Sequence, residues 1–257
     1  MLKIVSPYDG SEIKSLPLAT AEEVESKLSI ARELHKSAEK IADYERIEIL
    51  KKTAKIMQER RDSLAKLISS EGGKPISDTQ LEVDRAINGV ELGIKAIQDL
   101  SGKQIPMGST PSSQGRLAFT VREPIGVIVS ISAFNHPLNL AVHQIVPAIA
   151  AGCPVIIKPA LTTPLSALAF VDILREAGLP EKWCQVLICE DNLAEKLVTD
   201  PRVNFLSFIG SARVGWYLRS KLAPGTRCAL EHGGVAPVIV DENYNIDDLI
   251  AVSYTHL

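Results

Sequence analysis

Phe205-Leu206-Ser207-Phe208-Ile209-Gly210-Ser211-Ala212-Arg213-Val214-Gly215 is an apolar run that breaks at a glycine and a serine and then resumes at helical spacing. It reads as a buried strand, a tight turn and a helix over about Ala212 to Leu222. The next strand-like run, Arg227-Cys228-Ala229-Leu230, is closed by Glu231 and followed by His232-Gly233-Gly234. Backbone N–H groups at Gly210-Ser211 could hold a phosphate at the helix start. Glu231 ends an apolar strand, where burial is expected to lift its pKa toward the range of a general base. Both features would stand on one edge of one sheet.

The same alternation recurs upstream. Gly126-Val127-Ile128-Val129-Ser130-Ile131 is a buried-strand run, and a helix follows Pro137 to near Gly152, with a kink expected at Pro147. Val155-Ile156-Ile157-Lys158 is the next strand, and the following helix lies between Pro164 and Gly178. Gln185 to Cys189 reads as a strand and Leu193 to Val198 as a helix. Strands alternating with helices predict an α/β fold with a doubly wound parallel sheet.

The first hundred residues read differently. Residues 1–16 suggest a hairpin around Asp9-Gly10. Thr20-Ala21-Glu22-Glu23 is a capping-box pattern, with Val24, Leu28, Ala31 and Leu34 behind it. One helix is expected from about Ala42 to Gly72-Gly73, with Ile47, Leu50, Ala54, Met57, Leu64, Leu67 and Ile68 on a stripe. Another is expected from Ser77 to Leu100, burying Leu81, Ala86, Val90, Ile94 and Ile97. Together they predict a helical layer. Residues 101–115 are rich in Gly, Ser, Pro and Gln, and Arg116 to Arg122 alternates like a strand.

With 257 residues and 46% hydrophobic content, the chain can bury a sizeable core. A net charge of −3 favours neither nucleic acid nor an acidic membrane. No run is long and apolar enough to span a bilayer and no signal peptide is evident, so a cytoplasmic protein is expected. Cys153, Cys184, Cys189 and Cys228 are widely spaced and suit neither a disulfide framework nor zinc. His136 and His143 lack a companion carboxylate and make a poor metal pair, so no metal is expected.

Ligands of open parallel sheets sit beyond the carboxyl ends of the strands. Four segments fall there: Ser132-Ala133-Phe134-Asn135, Lys158-Pro159-Ala160-Leu161, Gly210-Ser211 and Glu231-His232-Gly233. Each has a plainer reading. Asn135 can cap the helix before Pro137, Lys158 can be solvated, Gly210 can be an ordinary turn, and Glu231 can pair with a cation.

Taken together, these segments resemble the aldehyde dehydrogenase superfamily. The likeness runs from Ser6-Pro7-Tyr8 through Glu71-Gly72-Gly73-Lys74-Pro75 and Glu123-Pro124-Ile125-Gly126-Val127 to Pro237. It implies a Rossmann-like sheet whose phosphate turn is Gly210-Ser211 with Gly215, in place of the usual G-x-G-x-x-G. It implies NAD or NADP as cofactor, with Ser132, Ala133, Phe134, Lys158, Ala160, Leu161, Gly210, Ser211, Gly215, His232 and Gly233 around it. Lys158 would hydrogen-bond the adenosine ribose. NAD-preferring members often carry Glu three positions after this lysine; here that position is Leu161, and the choice of cofactor stays open. Asn135 would donate to the oxyanion of an attacked aldehyde, and Glu231 would activate water against a thioester. Phe134 and His136 depart from the residues often found there.

The resemblance also implies division into an N-terminal helical part (1–101), an oligomerisation hairpin (102–122) protruding from the rest, a dinucleotide-binding core (123–234) and the start of a catalytic domain (235–257). The family's nucleophile is a cysteine beyond the glutamate. No cysteine follows Glu231 here, and the four present read as packing groups. The chain therefore reads as the N-terminal portion of such an enzyme, truncated before the nucleophile, with Val252 to Leu257 outside the family pattern. The complete protein would act on a small-molecule aldehyde as a homo-oligomer, dimer or tetramer. His136, His143 and Gln144 hint at a polar aldehyde. The alternative is a non-catalytic dinucleotide-binding or assembly module.

Overall fold

A computed structural model describes residues 1–37, 39–234 and 237–250. The residues from Val252 onward lie outside that set. The hairpin at the N-terminus is β1 (Leu2–Val5) against β2 (Glu12–Leu16), antiparallel. The capping box then opens α1 (Ala21–Lys36): Thr20 Oγ1 accepts from Glu23 N–H at 3.3 Å, and Glu23 Oε2 accepts from Thr20 N–H at 2.8 Å. These two bonds satisfy donors that a helix start leaves free.

The expected single helix from Ala42 to Gly72 is two, α2 (Asp43–Glu59) and α3 (Arg61–Gly72). Arg60 leaves helical geometry at φ −103°, ψ 15°. The charged corner is pinned outward by Arg60 to Glu176 at 2.7 Å and Arg61 to Asp84 at 2.6 Å. The apolar stripe continues across the bend, so its spacing hides the break. Gly73 closes α3 at φ +69°, a conformation that favours glycine. In α4 (Ile76–Gln98) the buried stripe is Thr79, Glu82, Val83, Ala86 and Val90. Leu81 lies off that stripe and is exposed, against expectation.

Residues 101–122 carry β3 (Gln104–Ile105) and β4 (Ala118–Phe119), a short antiparallel pair with Leu117, Phe119 and Val121 exposed. The main sheet follows: β5 (Val127–Ile131), α5 (Pro137–Ala150), β6 (Val155–Lys158), α6 (Leu165–Glu176), β7 (Cys184–Val186), α7 (Asp191–Thr199), β8 (Val203–Gly210), α8 (Ala212–Ser220) and β9 (Arg227–His232). Its order is β7-β6-β5-β8-β9, parallel throughout. The order reverses between β5 and β8, which makes their carboxyl ends the switch point of a doubly wound sheet. β7 is shorter than the expected Gln185–Cys189; its ladder ends where Leu187 donates to Ile157 O at 2.9 Å.

Two apolar clusters sandwich this sheet. Ile128, Val155 and Ile157 pack against α2 to α6, whereas Val127, Val129, Ile156 and Leu206 pack against α1, α7 and α8. The N-terminal helices are therefore not one layer. α2, α3 and α4 lie outside α5 and α6, while α1 covers the opposite face. Gln185 Nε2 fixes α1 by donating to Lys27 O at 3.1 Å, and Arg202 reaches Glu25 at 2.6 Å. No helix of the described residues is long and apolar enough to cross a membrane.

Candidate functional site

Register places Lys158 and Phe208 on either side of Ile131, and Leu230 beside Phe208. The strand ends are therefore level, and the loops beyond them face one crevice of about 670 Å³. Ser132, Ala133 and Phe134 enter it from β5, and Lys158, Ala160 and Leu161 from β6. Gly210 and Ser211 enter it from β8. Eight of the residues singled out in the sequence are thus brought together.

Lys158 is buried rather than solvated, and its Nζ lies 3.4 Å from Asp191 Oδ1. Ser211 caps α8, its Oγ accepting from Val214 N–H at 3.4 Å. The hydroxyl proton is left to donate elsewhere. Ser132 Oγ is buried without a hydrogen-bond partner among the described residues. An ammonium, two hydroxyls and a helix N-terminus around an apolar-walled crevice form a donor set suited to a ligand rich in phosphate and hydroxyl oxygens.

The remaining expected residues do not line the crevice. Asn135 is exposed and does not cap α5; His136 holds that position and makes no side-chain cap. Glu231 is exposed on the outer edge strand, so the burial expected for it is not found. Its register partner is Ile209, which does line the crevice, so Glu231 stands one strand away. Gly233 is exposed with open space around it. His232 points into packing: its ring meets Trp216 and Phe208 edge-on, with centroids 5.6 and 6.2 Å apart. A Cβ on Gly215 would collide with His232 Nε2. The missing Cβ of Gly215 leaves room for the His232 ring between α8 and β9.

Two buried carboxylates that sequence reading missed hold the site loops. Glu82 Oε1 accepts from Leu138 N–H at 3.0 Å and Asn139 N–H at 3.2 Å, which caps α5 directly after Asn135. Its Oε2 lies 3.2 Å from His136 Nδ1 and 3.5 Å from Lys74 Nζ. Glu71 caps α6 in the same way, accepting from Leu165 and Ser166 N–H at 2.7 and 2.8 Å, and from the Ser166 hydroxyl. Burial pushes the Glu71 carboxyl up, opposed by the Ser166 hydroxyl and these N–H groups. The available signal was position: Glu71 follows Ile68 by three on the buried face of α3, and Glu82 sits on the buried face of α4.

Gln144 lies beneath the strand ends. It is buried, and its Nε2 donates to Ile131 O at 3.0 Å, Ser207 O at 3.0 Å and Ser207 Oγ at 3.2 Å. It braces β5 against β8 at the switch point and does not line the crevice. His143 is exposed on α5. No cysteine lines the crevice. Burial raises the pKa of Cys153 and Cys189 and pushes Cys184 up to about 12. Thiols held protonated in this way are poor nucleophiles. Cys228 packs inward on β9, opposite in direction to Glu231.

The sheet order and the level strand ends define a Rossmann-type α/β protein with its ligand edge at the switch point. A sequence model of the aldehyde dehydrogenase family matches residues 1–256, so all but the last of the residues expected outside the family pattern, Val252 to Leu257, fall within the match. The chain belongs to that family. It is 34% identical over 247 residues to 3-sulfolactaldehyde dehydrogenase of Priestia aryabhattai, covering 96% of this chain and 51% of the relative. Aldehyde dehydrogenase 21 from Physcomitrella patens, solved with succinate, superposes with a TM-score of 0.87 at 31% identity, covering 92% of this chain and 49% of that one. A glyceraldehyde-3-phosphate dehydrogenase from Methanocaldococcus jannaschii, solved with NADP, gives 0.85 at 31% identity, covering 92% and 52%. The chain spans about half the length of the curated relatives it matches.

Proposed function

We propose that this chain forms the dinucleotide-holding part of an NAD- or NADP-dependent aldehyde dehydrogenase acting on a small-molecule aldehyde. The observation that carries the reading is the convergence of Ser132, Lys158, Gly210 and Ser211 on one crevice at the switch point. Lys158 would donate to ribose hydroxyls. Gly210 and Ser211 would receive the pyrophosphate at the start of α8, where backbone N–H groups and the helix dipole favour an anion. When bound, the nicotinamide supplies the hydride acceptor for aldehyde oxidation.

Asn135 is assigned to donate its amide to the oxygen of the attacked carbonyl. A donor so placed contributes about 3 kcal/mol in comparable sites. Glu231, beside the crevice-lining Ile209, is assigned to take a proton from the water that releases the acid. The thiol that adds to the aldehyde is assigned to none of the four cysteines here, since they are buried or face the core. The exposed apolar pair β3–β4 is assigned to contact a second copy of the chain.

The test is calorimetric titration of the chain with NAD and with NADP. Binding at micromolar to millimolar levels is expected, and Lys158→Met is expected to weaken it at least tenfold. Absence of any binding would end the reading. A second reading, a dinucleotide-binding module without chemistry of its own, is supported by the absence of a cysteine from the crevice wall. It predicts that chain, aldehyde and dinucleotide together give no rise in reduced-nicotinamide absorbance.

A further inference from the structure

Lys158 has one acidic partner among the described residues, Asp191 at 3.4 Å. The two side chains differ in exposure, at 9% for Lys158 and 98% for Asp191. Lys158 is thus fixed in the crevice wall, while Asp191, the first residue of α7, stands at the rim with its carboxylate in solvent. Both line the crevice, as does Leu161, which offers neither charge nor hydrogen bond. An ammonium has three donors, and Lys158 engages one.

We propose that Asp191 sets the choice between the two dinucleotides, accepting a hydrogen bond from a ribose hydroxyl and repelling a 2′-phosphate. The inference rests on the placement of the adenosine ribose at Lys158 made above. A hydroxyl bound at Lys158 Nζ lies within a few ångströms of Asp191 Oδ1 and can donate to it. A phosphate monoester in the same place brings close to two negative charges and, when fully ionised, no donor. It also meets a lysine already paired with a carboxylate. That separation is well inside the screening length of about 8 Å at physiological salt. Discrimination of this kind works through a repulsive element as well as an attractive one. Arg213, in the first turn of α8, is the cation on the crevice wall that acts the other way.

The 257-residue chain is titrated by calorimetry with NAD and, separately, with NADP. NAD is expected to bind about tenfold more tightly. Asp191→Asn keeps the size and removes the charge, so NADP should tighten about tenfold while NAD changes by less than about threefold. Asp191→Ser, which retains a residue common at helix starts, should act in the same direction, and circular dichroism of both variants should match the parent. If both dinucleotides bind and neither variant changes the ratio of their affinities, the assignment of Asp191 falls while the dinucleotide site stands. A parent chain that prefers NADP also overturns it. If neither dinucleotide binds the parent, the assignment falls together with the site.

Discussion

Glu82, fully buried on α4, holds the backbone N–H of Leu138 at 3.0 Å and so seats the helix that follows the β5 loop. The same carboxylate faces the Lys74 ammonium and the His136 ring. Removing it leaves two helix-start N–H groups without an acceptor and a partly buried lysine without its carboxylate, with only the His136 ring beside it. Glu82→Ala should therefore cost about 3 kcal/mol, within the usual range for breaking a buried charged contact. Urea unfolding followed by tryptophan fluorescence measures this; a loss below about 1 kcal/mol would contradict the capping role.

Glu71 gives a pH signature. Its folded pKa is raised by burial, so the folded state holds a proton more firmly than the unfolded chain. The stability from that protonation is complete below the unfolded carboxylate pKa and is lost as pH rises through the folded value. Relative to Glu71→Gln, the parent should become less stable as pH rises from about 4 upward. Paired unfolding curves at several pH values test the sign, and a difference that grows with pH would be the wrong one.

Arg202 predicts the opposite slope. It ties Asp200 at 2.7 Å and Glu25 at 2.6 Å, joining the start of β8 to α1. Hydrogen bonding from Arg202 holds the carboxyls of Asp200 and Glu25 below their ordinary values. Their contribution is present above the unfolded carboxylate pKa and is lost as pH falls through the lowered folded values. Arg202→Ala should cost about 1 kcal/mol at neutral pH, allowing for solvent screening, and less in acid. An equal cost at neutral and acid pH would exclude the ionic account.

Gly215→Ala tests the closeness of α8 to β9. Alanine favours a helix over glycine by about 1 kcal/mol. Here its Cβ would meet His232 Nε2, and overpacking costs about 1–3 kcal/mol. A net loss is expected in the parent and a net gain when His232→Ala is also present. Additive effects in that double-mutant cycle would mean that the two residues do not press on one another.

Much of the architecture was legible because β5, β6 and β8 are β-branched or aromatic runs between clear turn residues. What failed had specific causes. The α2–α3 corner keeps an apolar stripe on both sides, so periodicity passes straight through Arg60. β7 is an edge strand whose ladder stops at Leu187 while burial continues to Cys189. In the site, residues next to strand ends were found because topology places them there. Glu82 was missed because the N–H groups it caps lie more than fifty positions along the chain, and a glutamate on a helix reads as solvated until its stripe is traced. Asp191 was missed because its interest lies wholly in the company of Lys158. Glu231 ends an apolar run, a position where burial is expected, but the outer face of β9 is open.

The two carboxylate latches make residue 101 a poor place to cut. Composition changes there, which invites treating 1–101 as a dispensable coat around a self-sufficient nucleotide fold. Yet the coat grips the first turns of both helices that leave the crevice floor. Expressed without it, the remaining segment would lose the clasps on α5 and α6 and, with them, the alignment of the loops between strand and helix.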